Sequence, residues 1–241
     1  MARFTILLYG VVSYLIFLLT FLYAIGFMGN LLVPKSIDSG ADGPFLNALI
    51  INVILLSIFA VQHSVMARPA FKTWWTRIIP KAAERSTYTL LSSLALILLF
   101  YYWQPMGGIV WQIEGSIGRA ILFTLFGFGW ALVLVSTFLI NHFDLFGLRQ
   151  VYLNFTGQEY TALKFSTPGP YKLIRHPLYM GWFFAFWATP TMTVAHLAFA
   201  IITTIYILLA IRWEEQDLLA ALGEDYANYR KMVPKLIPFI K

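Results

Sequence analysis

Apolar residues run along this chain in long blocks rather than in the alternation of a half-buried strand, at 4–28, 45–66, 88–103, 117–140 and 178–211. A helix needs about 20 apolar residues to cross about 30 Å of hydrocarbon, and the first four blocks approach or exceed that length. The pattern predicts an all-α integral membrane protein with five hydrophobic blocks. The fifth block would run about 50 Å as a single helix at 1.5 Å per residue. Ala188, Thr189, Pro190 and Thr191 interrupt it, because proline lacks an N–H donor and clashes with the preceding turn. A helical hairpin over 178–211 is therefore expected, with 212–241 as a cytoplasmic C-terminal segment. The first block is too long for a signal-peptide core and lacks a small-residue cleavage site, so it reads as a retained span. The whole chain, 1–241, reads as one transmembrane domain with no internal repeat.

Charge supports this topology. With the N-terminus in the cytoplasm, Arg3, the five basic residues of 67–86, the four of 141–177 and the five from Arg212 onward fall inside. Only Lys35 and Arg119 fall outside, a strong positive-inside bias. A single crossing by the fifth block would put its trailing charges on the wrong side, so the bias selects the hairpin and places both termini in the cytoplasm. Composition agrees, with 59% hydrophobic and 12% charged residues; a soluble domain of this size has too little volume to hide so much apolar surface. The net charge of +6 does not point to nucleic acid, because the basic residues do not cluster with stacking aromatics on a polar face. The absence of cysteine excludes disulfides and thiolate-bound metals, and no metal site is expected.

Candidate chemistry gathers at the inner ends of the blocks. His63 closes the second, and His142 and Asp144 follow the fourth. The long connection 141–177 keeps many apolar residues and reads as folded against the cytoplasmic face. Arg175, His176 and Pro177 open the hairpin, and Glu214 and Glu215 close it. Pro177 suits the first turn of a helix, whose free N–H groups and dipole form an anion site. Arg175 adds a fork suited to carboxylate or phosphate, and the two acids suit an ammonium group or ribose hydroxyls. Direct pairing of Arg175 with one of the acids is the competing structural role. His196, in the outer part of the hairpin, reads as a packed or interfacial residue.

Two motifs carry a resemblance. "RHPLYMG" at 175–181 followed by "EEQDLLAALGEDYANYRKMVPKLIP" at 214–238 resembles the paired pattern of the isoprenylcysteine carboxyl methyltransferase superfamily of integral-membrane enzymes. Upstream, "VQHSVMARPAFKTWW" at 61–75 and "NHFDLFGLRQVYL" at 141–153 resemble the bacterial branch that holds the methanethiol S-methyltransferases and the NnrU-like proteins, and "FDLFGLRQ" favours the former.

The resemblance implies S-adenosylmethionine as cofactor, cradled by Arg175, His176, Tyr179, Glu214 and Glu215 with backbone near Pro177 and Gly181. Tyr226 and Tyr229 would support a C-terminal lid. His63, His142, Asp144, Arg149, Gln150 and Phe146 would line the acceptor side. It also implies a small thiol as substrate, methanethiol becoming dimethyl sulfide, and the inner membrane of a bacterium. A prenylcysteine or lipid acceptor, or a non-catalytic NnrU-like role, remains the alternative; oligomeric state is unspecified. Because the thiolate is the nucleophile, a base is needed: His142 oriented by Asp144 is one candidate and His63 the other.

Overall fold

The computed structural model describes residues 2–238. It is helical almost throughout, and its described residues form two compact units: the chain up to Gly107 together with Asn141–Ala162, and Gly108–Ile140 together with the chain from Leu163 on.

The first unit is built on three long helices, α1 (Ala2–Gly29), α2 (Phe45–Ala67) and α4 (Glu84–Tyr102), with the short α3 (Pro69–Trp75) after α2. α1 and α2 are long and apolar enough to cross a membrane. α4, the third apolar block, packs against both of them and carries a buried row of Ser86, Thr89, Ser92 and Ser93. Thr89 and Ser93 donate to carbonyls one turn back, Arg85 and Thr89, at 3.0 and 2.8 Å, so the hydroxyls are satisfied inside the helix itself. Its 19 residues run about 28 Å at 1.5 Å per residue.

α6 (His142–Leu145) and α7 (Leu148–Thr156) complete the unit. This connection, expected to fold against the cytoplasmic face, packs along α1. Val151 is fully buried and meets Gly10, while Phe146 stacks on Phe17 with centroids 3.8 Å apart. Val151 and Phe146 are thus covered by the first helix, while Phe143, Tyr152 and Phe155 stay exposed. Gly147 starts α7 at φ +92°, and a Cβ there would lie 2.6 Å from the Ser86 nitrogen; only glycine offers both the backbone conformation and the room.

The second unit holds two further membrane-length helices, α5 (Ser116–Ile140) and α9 (Val194–Leu222). Between them in sequence lies α8 (Pro177–Trp187), and α10 (Glu224–Met232) follows α9. Strands β1 (Ile109–Gln112) and β2 (Thr191–Thr193) pair antiparallel. The predicted hairpin is therefore asymmetric. Pro190 ends its first arm as expected, but α8 has only 11 residues, about 16 Å at 1.5 Å per residue and short of a full crossing. The second arm continues past residue 211 without a break, so Glu214 and Glu215 lie within α9 rather than in a separate C-terminal segment. His196 is packed as expected, 1% exposed, with Nε2 2.9 Å from the Phe186 carbonyl.

α8 lies against α5 through a glycine pair. A Cβ on Gly129 would sit 2.6 Å from the Ala185 nitrogen and 2.7 Å from the Gly181 carbonyl oxygen, and one on Gly181 would sit 2.8 Å from the Gly129 carbonyl oxygen. These neighbours are backbone and cannot rotate away. Gly129→Ala should therefore force the helices apart and cost about 1–3 kcal/mol, the usual penalty of overpacking. The check is the thermal midpoint of the variant in detergent, which should fall; a wild-type midpoint would contradict the contact.

Candidate active site

The Arg-His-Pro and Glu-Glu motifs meet inside the second unit. Arg175 donates through Nε to Glu215 Oε1 at 2.8 Å, with Nη2 also 2.8 Å from that oxygen. Its Nη1 donates to the main-chain oxygens of Arg230 and Val233. Both side chains of the ion pair are deeply buried, 8% and 7% exposed. The fork expected to face a ligand anion is thus occupied within the protein: it joins α9 to the C-terminal segment, because the chain after α10 brings its carbonyls to Arg175. The main-chain N–H groups of Arg175 and His176 likewise donate to Pro234 and Lys235.

His176 is held by the same carboxylate, Nε2 lying 3.0 Å from Glu215 Oε1. Its other nitrogen lies 3.8 Å from Glu214 Oε2, and its ring packs beside Tyr179. Pro177 occupies the first turn of α8 as expected, leaving first-turn N–H groups without intrahelical acceptors. Gly181, expected near the cofactor, is buried against Gly129 of α5.

Glu214 differs from Glu215. Its side chain is 44% exposed, and its Oε2 is enclosed without a hydrogen-bond partner among the described residues. The Tyr226 hydroxyl is likewise buried and unsatisfied. Buried polar atoms are nearly always bonded, and two such atoms beside one ion-pair cluster are where a ligand's polar groups would fit. A carboxylate oxygen and a phenol fit the ammonium or ribose hydroxyls of S-adenosylmethionine, so the donor set suits that cofactor. Burial, with the charge of Glu215, pushes Tyr226 up to about 12, and burial pushes Tyr229 up to about 12; both stay protonated at neutral pH. Tyr229 donates to the Tyr171 carbonyl at 2.6 Å, and Phe165 packs on both rings. Tyr171 escaped the sequence reading. Burial and then the Glu214 charge raise its hydroxyl above the ordinary phenol value, and its only sequence signal was its place just before the Arg-His-Pro motif.

The remaining candidates lie in the first unit. Asn141, with φ +147°, accepts from the Asp144 N–H at 3.1 Å and so starts α6. His142 is 3% exposed, and its Nε2 lies 2.8 Å from the Tyr14 hydroxyl. Asp144 does not orient it, contrary to expectation. That carboxylate accepts from Arg149 Nη1 at 2.8 Å and from the Tyr160 hydroxyl at 3.2 Å, because α7 brings Arg149 back over it. Arg149 also donates to the Thr161 carbonyl and hydroxyl at 2.9 and 3.0 Å, which ties 160–161 to α6. Gln150 Nε2 donates to the Asp144 carbonyl at 3.0 Å, and its buried Oε1 has no hydrogen-bond partner among the described residues. Phe146 packs on His142 with centroids 4.8 Å apart. Tyr14 and Tyr160 were also missed, the first because nothing in an apolar block marks one tyrosine among many aromatics.

His63 forms a separate cluster. Tyr88 places its hydroxyl 2.8 Å from Nε2, Ser92 lies 3.2 Å from Nδ1, and Phe59 stacks on the ring. Neighbouring Arg85 sits over Tyr88 and donates to the Leu145 carbonyl at 2.6 Å. An open cleft of about 520 Å³, lined by Lys72, Thr73, Thr76, Arg77, Lys81 and Glu84, involves none of the candidate residues. Among the described residues no group of acids and histidines could hold a metal ion.

A methanethiol S-methyltransferase of Crocosphaera subtropica is 61% identical over 240 residues, covering 100% of this chain and 94% of its own length. One from Mycobacterium tuberculosis is 52% identical over 239 residues, covering 99% and 98%. Nurim of Rattus norvegicus is more distant, 31% identical over 186 residues and covering 73% of this chain and 70% of its own. No family model matches, and no solved structure matches.

Proposed function

This chain belongs to the methanethiol S-methyltransferase family, and from that membership we propose that it methylates methanethiol with S-adenosylmethionine, releasing dimethyl sulfide. The observation that carries this reading is likeness at 61% identity across the whole chain, which takes in both clusters. When bound, S-adenosylmethionine supplies a methyl carbon made electrophilic by the sulfonium charge. Glu214 and Tyr226 would hold its ammonium or ribose hydroxyls, and the N-terminal end of α8 would favour its carboxylate. Arg175 acts through Glu215, keeping that carboxylate in place so that Glu215 in turn orients His176. Tyr179 closes the same end.

The second task is to remove the thiol proton, because only a small fraction of an ordinary thiol is ionised at neutral pH. His142 takes that proton. Asp144, Arg149 and Gln150 hold the segment that carries it, and Phe146 keeps its surroundings apolar. His63, closed in by Tyr88, Ser92 and Phe59, has a supporting role. The charge bias supports cytoplasmic termini, and the bacterial relatives support an inner-membrane location. Methanethiol, being apolar, can arrive through lipid.

The test supplies membranes holding the protein with methanethiol and S-adenosylmethionine and follows dimethyl sulfide in the headspace. Cofactor-dependent dimethyl sulfide is expected. Faster methylation of a farnesylcysteine analogue than of methanethiol at equal concentration would overturn the small-thiol reading.

A further inference from the structure

We propose that Tyr14 and His142 form a two-member proton relay in which Tyr14, from the first helix, is the member that meets the thiol. The inference deepens the thiol-methylation reading and rests on it.

The geometry carries it. The Tyr14 hydroxyl lies 2.8 Å from His142 Nε2, although the two residues are 128 positions apart in sequence. The imidazole is 3% exposed and ringed by Tyr14, Phe17, Phe143 and Phe146, whereas Tyr14 is only half-buried. A substrate approaching Nε2 meets the phenol first. The carboxylate that might have served the histidine, Asp144, is engaged by Arg149 and Tyr160. Tyr14 belongs to α1, a helix long and apolar enough to cross a membrane, and a polar side chain that keeps a named partner on such a helix is a candidate for function. Methanethiol enters an apolar layer as the neutral thiol, so its proton must be removed there.

A phenol can give and accept a hydrogen bond at once. In the step, the S–H bond breaks and its electron pair stays on sulfur as thiolate. The released proton forms a new O–H bond on Tyr14 while the original phenolic proton moves to Nε2. Tyr14 is regenerated neutral, and His142 becomes the imidazolium, which returns its proton to water between turnovers.

Tyr14→Phe removes only the hydroxyl and keeps the ring in its packing. Methaneselenol separates relay from structure, because selenols are stronger acids than thiols and are largely ionised at neutral pH. The variant should lose about tenfold or more in kcat on methanethiol and much less on methaneselenol. His142→Gln should show the same contrast, and the double variant should be no slower than the slower single one. Calorimetric affinity for S-adenosylmethionine should stay at the wild-type value in all three. Equal losses on the two acceptors, or wild-type turnover of methanethiol by Tyr14→Phe, would overturn the relay. Failure of the wild-type protein to methylate either acceptor would instead reject the thiol reading, and the relay with it.

Discussion

Glu215→Ala is expected to collapse the second unit's charge cluster rather than simply weaken a ligand contact. Glu215 is the counter-charge of Arg175 and the hydrogen-bond partner of His176. Its removal leaves a buried guanidinium, which cannot shed its proton, without a partner. Breaking one side of a buried ion pair costs about 3–5 kcal/mol, a large part of the roughly 5–15 kcal/mol that stabilises a typical domain. The thermal midpoint in detergent should drop sharply, and cofactor binding should be lost with it. Replacing both partners, as Arg175→Met with Glu215→Leu, should recover much of the stability, since an apolar pair of similar volume is often neutral. It should not recover cofactor affinity, because His176 still lacks its acceptor. Glu214→Gln provides the contrast: its half-exposed carboxylate supports no buried charge, so the protein should melt normally while binding S-adenosylmethionine more weakly. An unchanged midpoint for Glu215→Ala would contradict the structural role given to the pair.

The second large effect lies at His142. Its replacement by alanine should slow methanethiol turnover about 10²-fold or more, the usual contribution of a general base. Burial holds the imidazole below its ordinary value. The groups around it are the Tyr14 hydroxyl on Nε2, the Arg85 guanidinium on the Leu145 carbonyl and the Asp144–Arg149 pair. The neutral imidazole is the competent form, and a lowered pKa extends that form to lower pH. Activity at saturating cofactor should therefore be flat through neutrality and fall only on the acid side of about 6.5, the ordinary imidazole value. In His142→Ala the plateau should disappear and the rate should climb with pH as thiolate forms in solution. His63→Ala should leave the profile's shape intact. A profile unchanged in His142→Ala would remove this histidine from the proton transfer.

The paired motifs were legible as a site because each is local. Pro177 in a first turn and two adjacent acids 37 residues later are visible without knowing what packs on what. How they divide the work was not. Glu214 and Glu215 are neighbours in sequence, yet one is buried under Arg175 and the other opens outward, since adjacent positions on a helix point different ways. Asp144, two residues from His142, looked like its natural partner. The turn at Gly147 brings Arg149 to that carboxylate instead, and α1 supplies the hydroxyl.

What the sequence by itself determined is the membrane class, the long helices, the break at Pro190 and the types of residue available for chemistry. These depend on hydrophobic length and backbone chemistry, which act over a few residues at a time. Tertiary structure alone decided that the segment after α5 packs along α1, that α8 is too short to cross and closes on α5 through Gly129 and Gly181, and that Arg175 serves Glu215. It also decided that Tyr14 meets His142. Those outcomes depend on which surfaces fit together across 40 to 141 positions of chain, and shape complementarity at that range leaves no trace in local pattern.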